Sequence, residues 1–205
     1  MSNSNSEPSR PALSVVDGGM DSGPEAISSR QLGLWIFLVS LGVLFAATVV
    51  AYLIVRFRND GWSQGLPSLP RGLLINTASL LVTSAALWQA LRAVQRDDAR
   101  RLVMSLWVAF GFAIVFLVGQ ILNWVQMIRA DMPPNLANLY AFTFYMLTGT
   151  HAAHVLGGFV PLVITLKRAQ SGRYNSSSYE GVQLTARYWH FLDIVWLILL
   201  AVMSI

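Results

Sequence analysis

Three histidines and one aspartate have the types and spacing to do chemistry here, because all four fall inside long apolar stretches rather than between them. His151 and His154 stand in LTGTHAAHVLGG, and His190 and Asp193 in YWHFLDIVW. An H-x-x-H pair on a helix presents two imidazoles roughly 60° apart, and an aspartate three residues beyond a histidine shares nearly the same face. Two imidazoles and a carboxylate are donors for a metal ion, and histidines at matching depth on facing helices could hold a haem. The same groups, joined by Thr150, also make interhelical hydrogen bonds worth on the order of 0.6 to 2 kcal/mol each. Depth favours the second use. At 1.5 Å per residue Asp193 lies about 9 Å in from Arg187, whereas His154 lies about 20 Å from Lys167. No metal site is therefore predicted; the expectation is a buried polar network of Thr150, His151, His154, His190 and Asp193, with Asp193 paired to His190.

The elements that must position these groups follow from composition. Of 205 residues, 55% are hydrophobic and 12% charged, against about 25% charged in an ordinary soluble domain. The apolar residues come in blocks of the roughly 20 needed to cross about 30 Å of hydrocarbon as a helix. Five spans are predicted, at about 32–55, 72–91, 102–127, 139–166 and 184–205, giving an all-α integral membrane bundle. Arg56 and Arg58 end the first span, Pro67 and Pro70 lead into the second, and Arg92 closes it. Residues 1–30, rich in Ser, Pro and Gly, read as a disordered polar tail without the basic start and apolar stretch of a signal peptide, so the first span is expected to direct insertion. The membrane domain is 31–205.

Lys and Arg are in excess on cytoplasmic loops. With the N-terminus inside, Arg10, Arg30, Arg92, Arg96, Arg100, Arg101, Lys167, Arg168, Arg173 and Arg187 face the cytoplasm, against Arg56, Arg58, Arg71 and Arg129 outside. That predicts a cytoplasmic N-terminus and an extracytoplasmic C-terminus. The net charge of +4 is scattered between apolar blocks and points to topology, not to nucleic acid. The absence of cysteine removes disulfides, thiolate metal sites and cysteine nucleophiles.

Two further groups have roles to assign. Gly149, Ala153, Gly157 and Pro161 recur every four residues on the fourth span, a stripe that would let a neighbouring backbone approach. Arg187, Trp189 and His190 offer a cation and ring donors at the inner surface, suited to a phospholipid headgroup. Interface anchoring and packing account equally well for tryptophans near helix ends, Trp35, Trp62 and Trp189 among them.

LGLWIFLVS in the first span, TGTHAAHVLGG in the fourth and YWHFLDIVW in the fifth resemble subunit III of the cytochrome c and quinol oxidases, in its short five-helix bacterial form. Asn76 and Thr77 in the second span and Gln120 and Trp124 in the third fit the same order. The resemblance implies a multi-pass protein of a bacterial inner membrane with no redox centre of its own. It implies haem and copper in a catalytic subunit I, with subunit II or a cytochrome c as further partners. It also implies a structural phospholipid in a cleft, help with proton uptake and protection of the active site during turnover. The accessory proteins of nitric oxide reductases are built similarly; a stand-alone transporter and a haem-binding cytochrome are the competing classes. Three positions depart from the family: it usually has acids where this chain has Leu41, Asn123 and Gln183. A neutral side chain cannot store a proton, so the resemblance implies a weakened proton-uptake role, with Asp193 structural.

Overall fold

A computed structural model describes residues 28–58, 72–134 and 138–204. Most of the expected tail, the prolines before the second span, Arg71 and Trp62 lie outside the described residues. Five helices follow in order: α1 (Ser29–Arg58), α2 (Gly72–Gln95), α3 (Ala99–Arg129), α4 (Leu139–Gln170) and α5 (Glu180–Ser204). All five are long and apolar enough to cross a membrane. Each predicted span lies within one helix, as far as the described residues run. The helices extend up to about a turn past the apolar blocks because the flanking residues keep helical backbone bonds while their polar side chains reach water.

The ends of these helices are written in capping chemistry. Asp98 caps α3 by accepting from Arg101 N at 2.9 Å, and Asn138 caps α4 by accepting from Ala141 N at 3.1 Å. α2 closes through Asp98 N to Ala93 O and Asp97 N to Val94 O, with Asp97 at φ 55°. α4 closes the same way through Arg173 N to Arg168 O and Gly172 N to Ala169 O, with Gly172 at φ 63°. These paired bonds through a left-handed residue satisfy the last carbonyls of each helix. Asp97 also accepts from Ser176 N at 2.6 Å, and Arg30 pairs with Glu180 at 3.6 Å. The start of α1, the α2–α3 turn and the α4–α5 loop therefore share one end of the bundle.

Helices α2, α3, α4 and α5 form a closed ring, each packed on two neighbours, and α1 lies outside against α4 and α5. The core is Leu, Ala and aromatic: Trp189, Trp196, Phe116 and Phe144 are fully buried. Hydroxyls within the spans are satisfied in their own helices, as Thr83 to Ser79 O at 2.9 Å and Thr148 to Phe144 O at 2.7 Å illustrate. A smaller set ties helices together: Asn76 Nδ2 donates to Gln120 Oε1 at 3.0 Å between α2 and α3, and Trp124 Nε1 to Thr148 Oγ1 at 3.0 Å between α3 and α4. Trp196 Nε1 donates to Thr77 Oγ1 at 2.9 Å, joining α5 to α2, while that hydroxyl donates on to Leu73 O. In a double-mutant cycle of Trp196→Phe and Thr77→Val, unfolding in detergent should give a coupling of about 0.6 to 1.7 kcal/mol; additive losses would mean that the bond contributes nothing.

Candidate functional site

The α4–α5 seam is built on a glycine. A Cβ on Gly158 would fall 2.8 Å from Tyr188 Cε1 and 3.2 Å from Trp189 Cε2, so only glycine allows the helices this approach. The indole that fills the space donates Trp189 Nε1 to Gly158 O at 3.2 Å. One turn away, Tyr188 donates its hydroxyl to His154 O at 2.8 Å, and Thr165 and Thr185 bond at 2.9 Å near the loop end. The predicted packing stripe lies on a different side of α4 from this seam. A Cβ on Gly149 would meet only Trp124, and one on Gly157 only the Tyr188 hydroxyl, both at 3.9 Å. Gly157 and Ala153 are exposed on the bundle surface. With Pro161 they line a cleft between α1, α4 and α5 of about 450 Å³, whose far end carries Arg168 and Tyr174.

The histidines and the aspartate occupy three different environments. His151 is fully buried, and neither ring nitrogen has a hydrogen-bond partner among the described residues. Aromatic rings surround it: Trp196 at 5.1 Å, Phe116 edge-on at 5.6 Å and Phe45 at 6.1 Å between centroids. Three helices besides its own thus meet on this imidazole. His154 donates from Nδ1 to Thr150 O at 2.7 Å, a bond within α4 that uses the threonine's backbone rather than its hydroxyl.

On α5, His190 Nδ1 bonds the hydroxyl of Ser84 on α2. Asp193 is 6% exposed, and neither carboxyl oxygen has a hydrogen-bond partner among the described residues, although the Ser84 hydroxyl lies beside it. The expected His190–Asp193 pair is absent among the described bonds. A residue at i+3 shares the face, but the His190 imidazole bonds the serine across the α2–α5 seam instead. The five residues expected as one network are therefore separate: His151 in an aromatic box, Thr150 with His154, and His190 with Asp193 around Ser84. Ser84 was not singled out from sequence, and its signal was only its place in a Ser/Thr-rich run.

The grouping of Arg187, Trp189 and His190 as a headgroup site also changes. Trp189 is wholly buried with its N–H committed to Gly158, so it offers no donor to lipid, while the half-buried His190 bonds Ser84 through Nδ1. Of the three neutral replacements, Leu41 and Asn123 are buried and Gln183 is partly buried. Among the described residues, no group of three His, Cys, Asp or Glu side chains could hold a metal ion.

Comparison with known proteins places these features in a lineage. The family model of cytochrome c oxidase subunit III matches residues 25–205. The chain is 30% identical over 191 residues to cytochrome c oxidase subunit 3 of Thermostichus vulcanus, covering 91% of this chain and 92% of that protein. It is 32% identical over 173 residues to the Synechocystis subunit of the same name, covering 83% and 72%. It is 25% identical over 183 residues to the cytochrome bo(3) ubiquinol oxidase subunit 3 of Pseudomonas aeruginosa, covering 88% and 85%.

Adjacent glycines give a direct check on the α4–α5 seam. Gly158→Ala should destabilise the bundle by about 1 to 3 kcal/mol in thermal unfolding, whereas Gly157→Ala should stay within about 0.5 kcal/mol. Equal effects would remove the seam from its place in the fold.

Proposed function

Because this chain belongs to the cytochrome c oxidase subunit III family, we propose that it is the redox-silent third subunit of a haem-copper terminal oxidase in a bacterial cytoplasmic membrane. The observation that carries this reading is the family match running through all five membrane-length helices. The chain steadies catalytic subunit I, where haem and copper reduce oxygen, and subunit II or a cytochrome c completes the assembly. The distribution of Lys and Arg supports a cytoplasmic N-terminus, with the α2–α3 turn and the α4–α5 loop on that side.

The donor chemistry of the site supports redox silence. A haem would need two free imidazoles at one depth on facing helices. His151 and His154 share α4, with His151 walled in by Phe45, Phe116 and Trp196, and His190, the histidine on α5, bonds across to Ser84 on α2 rather than to α4. The haem and copper belong to the partner.

The phospholipid is assigned to the cleft between α1, α4 and α5. Its walls are apolar, Ala153 and Gly157 leave it open, and Arg168 at its end offers a cation for a phosphate. The contribution to proton uptake is weak. Leu41 and Asn123 are buried where the family usually has acids, and neither can take up and release a proton. Asp193 remains as a structural group at the α2–α5 seam.

Tagging the chain and purifying it from its own membranes should bring down a haem-bearing large subunit, while the isolated polypeptide shows no Soret band. A Soret band belonging to this polypeptide would overturn the proposal, as would its consistent purification without a haem-bearing core. In the same complex, Asp193→Asn should leave proton pumping close to wild type; a large loss of pumping with assembly intact would contradict the structural assignment.

A further inference from the structure

On the other side of the ring from the α1/α4/α5 cleft, a groove of about 590 Å³ runs along the α2–α3 seam. It exists because the seam is lined with short side chains: Ala85, Ala86 and Ala93 on α2 lie across from Ser105 on α3, and none is long enough to fill the space. Val82, Met104 and Val108 wall its deep end, and Trp88 its flank. From Val82 to Arg92 the groove follows α2 for roughly 15 Å, one leaflet of a hydrocarbon core about 30 Å thick.

The mouth differs in kind from the walls. Arg92, Arg96 and Arg101 gather there with a single acid, Asp98. Asp98 pairs with Arg101 at 3.1 Å, while Arg92 and Arg96 make no ion pair with a described residue. The Arg92 guanidinium lies over the Trp88 ring, 3.4 Å from its centroid, which holds the cation at the groove's edge with its N–H rim available. A groove one leaflet deep, apolar below and capped by unpaired guanidinium groups, matches one acyl chain and one phosphate.

We propose that the α2–α3 groove is a second lipid site, selective for an anionic phospholipid whose headgroup phosphate is bound by Arg92 and Arg96. The proposal goes beyond the cleft lipid and depends only on the chain spanning a membrane.

The test uses the protein purified through a tag on this chain with its accompanying subunits, reconstituted in phosphatidylcholine vesicles containing spin-labelled phosphatidylglycerol or spin-labelled phosphatidylcholine. The motionally restricted fraction of the label reports lipid held by the protein. The wild type should prefer phosphatidylglycerol, and Arg92→Gln with Arg96→Gln should lower that preference by up to about fivefold for each charge removed. Raising the salt should lower it in the wild type and less in the variant. Ala85→Trp, which fills an exposed part of the groove without touching the charges, should reduce the restricted phosphatidylglycerol as well. Arg168→Gln acts at the other cleft and should leave the Arg92- and Arg96-dependent part intact, so the two lipid assignments fail separately. Haem content of the same preparation reports on the oxidase reading independently. Unchanged selectivity in an intact Arg92→Gln/Arg96→Gln complex would overturn the proposal, as would a photocrosslinker at Ala85 that captures a polypeptide in place of lipid.

Discussion

Hydrocarbon supplies no water to a buried N–H or hydroxyl, so a polar group in a membrane bundle is stabilised chiefly by the partners it finds in protein. That constraint sets which helices touch and where. The indole of Trp189 reaches the Gly158 carbonyl, Tyr188 the His154 carbonyl and Trp196 the Thr77 hydroxyl. All three bonds start on α5, which makes it the helix that the ring of α2, α3 and α4 closes upon. Gly158 is the permissive element: a side chain there would push α4 from α5, and the Tyr188–His154 bond spans that same seam. α1 is held by packing of Phe45 against the His151 and His154 rings and, nearer its ends, by Arg30 with Glu180 and Arg56 with the Val202 carbonyl.

The five spans were legible because length and hydropathy are properties of a stretch and need no knowledge of neighbours. The seams were not. A glycine stripe at every fourth residue identified the right helix, yet which side of it faces α5 depends on the rotation of the partner. Gly158, one residue and about 100° from Gly157, turned out to be the packing position. Trp189 shows the same limit: its depth suited an interface anchor, and only the fold reveals that it points inward. The imidazole of His190 was expected to take the carboxylate nearest in sequence, but Ser84, 106 residues away, competes successfully across a seam. Local spacing ranks partners on one helix; it says nothing of what the adjacent helix brings.

The interhelical polar bonds described in the bundle hold helices in register. The histidines are spread over an aromatic box, a backbone carbonyl and a serine, and Leu41 and Asn123 are buried. The small residues that a pore or redox protein would use for close packing are spent at Ala153 and Gly157 on keeping a cleft open, and at Ala85 and Ala93 on keeping a groove open. In both, apolar walls end in arginine.

The central claim is that this chain steadies a redox core it does not belong to chemically. The most direct measurement follows oxygen reduction over successive turnovers by the complex with the chain present and after its selective removal. The account predicts an unchanged haem spectrum and a similar initial rate, followed by earlier loss of activity in the depleted complex. Loss of a haem band together with the chain, or a depleted complex as durable as the intact one, would contradict it.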